Sequence, residues 1–135
     1  MYDTLLFLHV LAAFILVTAV FMFAAYTLGV RITPGGFTLA SRLEDIGGLG
    51  VLVLGIWLAL DVDGYGLLDG WIIAAILIWA AAGASGNFYR QLIAPVVEAG
   101  GTVTADVAQR AATFNWIRAA LTILLLADMI WKPGA

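Results

Sequence analysis

The segment from Thr4 to Val30 decides the fold, and it reads TLLFLHVLAAFILVTAVFMFAAYTLGV. These 27 residues include no acidic residue, no lysine and no arginine. At about 1.5 Å per residue, a helix of this length reaches roughly 40 Å, enough to cross a bilayer core of about 30 Å with some tilt. The segment therefore predicts a transmembrane helix. Its one ionisable residue is His9, the only histidine of the chain.

The composition of the whole chain also indicates a membrane protein. Of the 135 residues, 64% are hydrophobic and 11% are charged, whereas about 25% are charged in a soluble domain. The absence of cysteine excludes disulfides, thiolate catalysis, iron–sulfur clusters and Cys-ligated zinc. The net charge of -3 argues against a nucleic-acid partner. No positive residue precedes the first apolar run, so we expect this helix to be retained rather than cleaved as a signal peptide.

Three further apolar segments follow the first one. The sequence Thr33-Pro34-Gly35-Gly36 predicts a turn. Ser41 begins a capping-box pattern that predicts the start of the second helix, with Thr38 as the alternative start. We predict that the third helix extends past Arg90, bends at Pro95 and ends at the Gly100-Gly101 pair. The predicted helices cover residues 4–30, 41–61, 71–90 and 105–131. We therefore expect one domain over residues 1–135, an all-α integral membrane four-helix bundle.

The basic residues predict how the bundle crosses the membrane. Four arginines flank the connections after the first and third helices, whereas the connection after the second helix has three aspartates and no basic residue. Cytoplasmic loops are enriched in lysine and arginine. We therefore expect a multi-pass protein of the inner (cytoplasmic) membrane with both termini outside, although Lys132 near the C-terminus opposes this orientation.

Small residues predict where helices approach one another closely. Gly55 and Ala59 form a small-xxx-small pair in the second helix, and the run from Ala80 to Gly86 lies in the third. Such residues allow close backbone contact in membranes. We predict that Gly55, Ala59, Gly83 and Gly86 are packing positions, within the chain or between copies of it.

His9 and Met129 are the candidate cofactor ligands. An ionisable group inside a membrane helix is costly and often functional, and a neutral imidazole can ligate haem iron or a copper ion. Met129 and Asp128 lie at a similar depth near the end of the fourth helix, so they can meet His9 if the first and fourth helices are neighbours. The alternative is that His9 is bonded to a backbone carbonyl or a neighbouring helix, that Met129 serves packing, and that Asp128 reaches headgroup water.

The fourth helix has a polar face formed by Asn115, Arg118 and Thr122. Glu44, Asp45 and Asn87 are expected at a similar depth on the second and third helices. We predict a structural polar cluster of Arg118, Glu44, Asp45, Asn87 and Asn115 that fixes these three helices together, since a charge at this depth must be paired. The alternative is an anion or proton site.

The two ends of the chain carry a resemblance to a known family. The sequence Leu8-His9-Val10-Leu11-Ala12-Ala13 lies near the start, and Asp128-Met129-Ile130-Trp131-Lys132-Pro133-Gly134 lies at the end. With the four-helix plan, they resemble small predicted integral membrane proteins of unknown function that are allied to bacterial copper-resistance D proteins. More remotely, they resemble the haem-binding membrane protoporphyrinogen oxidase. The resemblance implies haem ligation by His9, but the Trp and Gly that usually follow the histidine in those relatives are not found in Phe14–Ala19.

Three functions are consistent with these observations. The first is a non-enzymatic membrane bundle that forms homo-oligomers or serves as a subunit of a larger membrane complex. The second is a haem- or copper-binding redox or transport protein that uses His9, and the third is a small oligomeric channel or transporter. No catalytic constellation is evident in the sequence, so we do not expect an enzyme.

Overall fold

The computed structural model describes residues 2–100 and 103–132, and its regular elements are four helices. They are α1 (Tyr2–Thr27), α2 (Pro34–Asp61), α3 (Gly70–Glu98) and α4 (Ala105–Trp131). Each helix is long and apolar enough to cross a membrane. The prediction of an all-α four-helix bundle is thus confirmed, and the architecture fits a multi-pass membrane protein.

The first helix ends three residues earlier than predicted, because Gly29 stops it. Gly29 has a left-handed φ of 112°. The amide of Val30 donates to the carbonyl of Ala25 at 3.0 Å, and the amide of Gly29 donates to Tyr26 at 3.2 Å. These two bonds satisfy carbonyls at the end of α1 in the pattern of a Schellman motif.

The second helix begins at Pro34, seven residues before the predicted start at residue 41. Proline is well suited to the first helical position, because its φ is already helical and its missing N–H would have no partner there. The hydroxyl of Thr33 caps the helix by accepting a hydrogen bond from the Gly36 amide at 3.0 Å. The sequence Thr33–Gly36 is therefore a helix start rather than a turn.

The third helix continues to Glu98 with Pro95 inside it, and Gly100 follows with a left-handed φ of 66°. Gly101, the second residue of the predicted glycine stop, lies outside the described residues. The fourth helix has the predicted bounds, and the hydroxyl of Thr104 caps it by accepting from the Val107 amide at 3.4 Å.

The helices pack as two hairpins, α1 with α2 and α3 with α4, along most of their lengths. The two hairpins meet through smaller contacts between α1 and α4 and between α2 and α3. Among the described residues, the diagonal pairs α1/α3 and α2/α4 do not approach one another by their backbones. We call the end with Tyr2, the 62–69 turn and Lys132 the terminal end, and the end with the other two connections the connection end.

The packing differs between the two ends of the bundle. At the connection end, the buried ring of Phe23 lies edge-to-face with Tyr89 at 5.3 Å and with Phe37 at 6.0 Å between centroids. At the terminal end, a smaller buried cluster contains Ala59, Trp71 and Ile72. Large apolar side chains cover the outer surface, among them Phe7, Phe14 and Phe21 of α1, as lipid-facing helices require.

Candidate functional site

A cavity of about 640 Å³ lies between the helices in the terminal half of the bundle. Side chains from all four helices line it, and most of them are apolar. The ionisable groups on its wall are Tyr2, His9, Tyr65 and Lys132. Its volume is within the range of about 300–1,000 Å³ that is typical of ligand sites, and mainly apolar walls with a few polar groups are also typical of them.

His9 lies on the wall of this cavity and is buried, with 8% of its surface exposed. Its Nδ1 atom has no hydrogen-bond partner among the described residues. The backbone carbonyl of Val51 lies beside the ring, within reach of an imidazole N–H. The alternative that His9 is bonded to a backbone carbonyl stays a prediction. A buried polar atom without a partner costs about 1–3 kcal/mol.

Gly55 makes room for the imidazole ring. A Cβ atom at Gly55 would lie 3.1 Å from Cε1 and 3.5 Å from Nδ1 of His9. The same Cβ would lie 3.9 Å from the terminal methyl carbon of Met129. Gly55 thus admits a side chain from α1, and His9 and Met129 converge on it from α1 and α4. The structure brings together the two residues that the sequence singled out as cofactor ligands.

Asp128 does not reach the surface as expected. Only 7% of Asp128 is exposed, and its Oδ2 atom has no hydrogen-bond partner in the described part of the chain. The fourth helix contacts both α1 and α3, so its buried face is wider than the stripe formed by Asn115, Arg118 and Thr122. Asp128 lies at the edge of this wider face and is not among the residues that line the cavity.

A second polar site, centred on Arg118, lies at mid-length of α4. Arg118 is 2% exposed, and its Nη1 atom donates to Oε2 of Glu44 at 2.5 Å. Nη2 donates to Oδ1 of Asn115. The guanidinium carbon lies 4.2 Å from the centroid of the Phe23 ring and 5.1 Å from that of Tyr89. Arg118 therefore joins the diagonal helices α2 and α4 and also contacts aromatic rings of α1 and α3.

Arg90 of α3 is part of this site, although the sequence analysis did not include it. Its Nη2 atom donates to Asp45 at 3.0 Å, and its Nε atom lies 3.7 Å from Oε1 of Glu44. Asp45 thus pairs with Arg90 rather than with Arg118. The sequence did contain an indication of this, because Gly86 and Arg90 are four residues apart and therefore lie on the same side of α3. We call Arg118, Glu44, Asn115, Arg90 and Asp45 the central polar cluster.

Asn87 lies outside the central polar cluster, contrary to the prediction. It is exposed on α3 and makes no side-chain hydrogen bond to any described residue. One helical residue corresponds to about 100° of rotation. Since Gly86 and Tyr89 face the bundle interior, that rotation turns Asn87 outward.

Asn115 connects the cluster to the end of α1. Its amide nitrogen donates to the hydroxyl of Thr27 at 2.8 Å and to the carbonyl of Phe23 at 3.3 Å. Thr122, by contrast, donates to the carbonyl of Arg118 on its own helix at 2.9 Å. The cluster therefore contains side chains of α2, α3 and α4 and is bonded directly to α1.

The predicted packing residues have different roles. A Cβ atom at Gly86 would lie 2.8 Å from Oε1 of Glu44 and 2.9 Å from Nη1 of Arg118, so this glycine makes space for the central polar cluster. Ala59 is buried against Trp71 at the terminal end. Gly83 is exposed, and no atom lies within 4 Å of the position of its Cβ. Gly83 therefore makes no close contact within the chain.

A smaller cavity of about 180 Å³ adjoins the central polar cluster. Glu44, Arg90 and Arg118 line it, and the Nε atom of Arg118 has no hydrogen-bond partner among the described residues. The volume is large enough for ordered water. An anion or proton site here stays a prediction.

No family model, curated protein or solved structure matches this chain. The resemblance to the copper-resistance and haem-binding relatives stays a prediction. Among the described residues, no three His, Cys, Asp or Glu side chains converge to hold a metal ion. Met129 is the further potential ligand whose side chain lies beside Gly55 together with His9. A copper site needs more ligands than these two, whereas haem iron needs only one or two protein ligands.

Proposed function

We propose that this chain is a non-enzymatic integral membrane protein that binds a flat, largely apolar cofactor in the terminal-end cavity. We further propose that this cofactor is haem and that His9 is its iron ligand. The observation that carries the proposal is the position of the only histidine of the chain. It is buried on the wall of an apolar cavity of about 640 Å³, and its Nδ1 atom has no hydrogen-bond partner among the described residues.

The cavity supports a large apolar ligand. Trp71, Trp79 and Tyr65 contribute aromatic surface to its wall. On the α2 side, Gly55 and Ala59 place no large side chain in the cavity. Rigid aromatic side chains provide large contact areas for a planar ligand. A cavity of this size inside a small bundle loses packing interactions, and a bound ligand restores them.

His9 and Met129 are the residues that would hold the iron. A histidine alone or a His–Met pair is an established ligand set for haem iron, and the two side chains converge at Gly55. A bound haem would supply one-electron chemistry. The chain's own contribution is to position the imidazole, to exclude water with apolar walls, and to offer the thioether of Met129 from the neighbouring helix α4.

The absorbance spectrum of the purified protein, with haem added in nonionic detergent, tests this proposal. We expect a Soret band in the wild type, loss or displacement of the band in His9→Gly, and its partial restoration when imidazole is added to that variant. Thr122→Ala, which changes a polar residue outside the large cavity, is the matched control and should leave the band unchanged. A His9→Gly spectrum identical to that of the wild type would refute ligation by His9.

We propose self-association, or association with a larger membrane complex, as a second function. One exposed side of α3 supports it, because Ala80, Gly83 and Ala84, at i, i+3 and i+4, are all exposed. Small residues of this kind let helices of neighbouring subunits approach closely. A channel through one subunit is less well supported, since Arg118, Tyr89, Phe23 and Asn115 fill the middle of the bundle as its largest fully buried side chains.

Substitution of Gly83 tests the second function. Gly83→Leu adds a side chain where the chain itself has open space, so it should weaken assembly without unfolding the subunit. Ala120→Leu on the exposed side of α4 is the matched control. If light scattering in detergent gives the same mass for Gly83→Leu and the wild type, this face of α3 is not the interface.

We also propose that the terminal end faces outside and the connection end faces the cytoplasm. The support is the charge of the connections, since basic residues gather beside the connection end and aspartates at the terminal end. In this orientation the large cavity lies in the outer half of the membrane.

A further inference from the structure

We infer that the ligand of the terminal-end cavity carries a carboxylate group, and that this group pairs with the amine of Lys132 at the rim. The inference rests on the proposed function and specifies the class of ligand, namely a planar apolar molecule with an acidic edge. Its first basis is the position of Lys132, which ends α4 and lines the cavity together with His9.

The backbone directs the Lys132 side chain across the rim of the cavity. Lys132 has a left-handed φ of 45°, and its amide donates to the carbonyl of Asp128 at 2.8 Å. Its Nζ atom lies 5.1 Å from the centroid of the Tyr65 ring and 5.4 Å from that of Trp71. Both rings also line the cavity, so the ammonium group is held at its edge by cation–π contacts.

The charges at the terminal end leave this amine without a carboxylate partner inside the described part of the chain. Five aspartates lie near that end, at positions 3, 61, 63, 69 and 128. Every ion pair among the described residues nevertheless involves an arginine, and none involves Lys132. Among the residues that the structure describes, Nζ donates one hydrogen bond, to the hydroxyl of Tyr65 at 3.4 Å. An ammonium group in such surroundings favours an anionic ligand group, because charge-assisted hydrogen bonds are stronger than neutral ones.

The depths of His9 and Lys132 along the bundle fit a single ligand that contacts both. Lys132 follows Met129 by three residues, about 4.5 Å along the axis at 1.5 Å per residue. His9 and Met129 lie at one level, since both face Gly55. A planar molecule held at His9 therefore places its edge near the rim. A neutral ligand would leave the amine of Lys132 without a carboxylate partner among the described residues. The carboxylate edge of a porphyrin would lie beside this amine.

The experiment compares haem with its dimethyl ester, in which the two carboxylates are neutral. Both are titrated into purified full-length protein in a phospholipid-free nonionic detergent, and binding is followed by the Soret band and by tryptophan quenching. We expect the wild type to bind haem about ten-fold more tightly than the ester, as one charge-assisted contact predicts. Lys132→Gln should lose most of this preference, and Lys132→Arg should keep it.

A charge-matched control separates local from general electrostatics. Arg110→Gln also removes one positive charge, but Arg110 is exposed near the start of α4 and pairs with Asp106. This variant should keep the full preference for haem over the ester. The unfolding temperature of each variant is measured without ligand, so that a folding defect is recognised separately from a binding defect.

Three results would overturn the inference. If Lys132→Gln keeps the preference, the amine does not recognise the carboxylates, although the proposed haem site stands. If the wild type binds neither compound, the proposed function fails together with the inference. If phosphatidylglycerol displaces haem from the wild type but not from Lys132→Gln, Lys132 serves a lipid headgroup instead.

Discussion

In the middle of the bundle, Arg118 is bonded to Glu44 and Asn115 and lies against two aromatic rings. His9, by contrast, lies beside a large cavity, and its Nδ1 atom has no hydrogen-bond partner in the described part of the chain. Both are polar side chains buried between apolar helices. The first is surrounded by groups that neutralise and pack it, and the second faces space that a ligand can fill. The difference supports two proposals, namely that the central polar cluster holds the helices together and that the region around His9 binds a ligand.

The comparison also explains where the helices are close together. Gly86 lets α3 approach the cluster, so the volume there is filled by protein. Gly55 lets the imidazole of His9 approach α2, but the volume beyond the ring stays open as the cavity. Gly86 thus allows close packing of the helices, whereas Gly55 leaves room for the side chain of His9.

The largest expected effect is that of Arg118→Ala. Removing one partner of a buried ion pair leaves the other charge buried and unpaired, which costs about 3–5 kcal/mol. We expect a loss of that order in the free energy of unfolding in detergent, measured by thermal unfolding and by SDS titration. Arg110→Ala is the matched control, because an exposed ion pair contributes only about 0–1 kcal/mol.

The coupling of Arg118 to Glu44 makes this prediction sharper. In a double-mutant cycle, Glu44→Gln should make Arg118→Ala less damaging than it is alone, because no charge is then left unpaired. Asp45→Asn should couple to Arg118→Ala far less, since Asp45 is exposed and pairs with Arg90. Simple additivity for Arg118 and Glu44 would contradict the pairing that the structure shows.

A smaller effect is expected from alanine at the two neighbouring glycines of α3. Gly86→Ala brings a methyl group against Glu44 and Arg118, and we expect it to lower the free energy of unfolding by about 1–3 kcal/mol, as overpacking does. Gly83→Ala meets open space, and we expect it to raise stability by up to about 1 kcal/mol through helix propensity. Equal effects at the two positions, three residues apart, would show that the central polar cluster is not tightly packed.

A still smaller change in stability is expected from His9→Leu. Since Nδ1 has no hydrogen-bond partner among the described residues, an apolar side chain of similar size should change the free energy of unfolding by less than about 1 kcal/mol, or raise it. The same variant should lose the haem Soret band. A loss of stability as large as that of Arg118→Ala would assign His9 a structural role and remove the contrast between the two sites.

No change in stability is expected from cysteines that report orientation. Leu68→Cys lies in the exposed turn at the terminal end, and Gly35→Cys lies at the exposed start of α2 with open space around it. In intact cells, an impermeant thiol reagent should label Cys at position 68 and should label position 35 only after the membrane is permeabilised. The reverse pattern would place the large cavity in the cytoplasmic half of the membrane.

The long apolar run of α1 was enough to predict a membrane helix, because a chain of 135 residues is too small to bury 27 such residues in a soluble core. The start of α2 was predicted wrongly because proline has two opposite effects. It breaks a helix from an interior position, but it is favoured at the first helical position, where Pro34 lies. The hydrogen bond from the Gly36 amide to the Thr33 hydroxyl identifies the helix start, and this bond is seen only in the structure.

The candidate site was predictable only in part. Charge and depth predicted that Arg118 and Glu44 meet, since each needs a partner in the membrane. Depth did not predict which way a side chain faces, so Asn87 was included and Arg90 was missed. The large cavity left no signal in the sequence, because its volume arises from looser contacts between two hairpins and not from any one residue.

The ion pair between Arg118 and Glu44 joins residues that are 74 positions apart in the chain. During synthesis at the ribosome, the hairpin of α1 and α2 is complete long before Arg118 exists. Glu44 therefore enters the membrane region before its partner has been made, and its charge is neutralised only when the second hairpin supplies Arg118. Assembly of the two hairpins is thus the step that neutralises Glu44, and a chain cut within the 62–69 turn should leave a first hairpin that carries an unpaired carboxylate between its apolar helices.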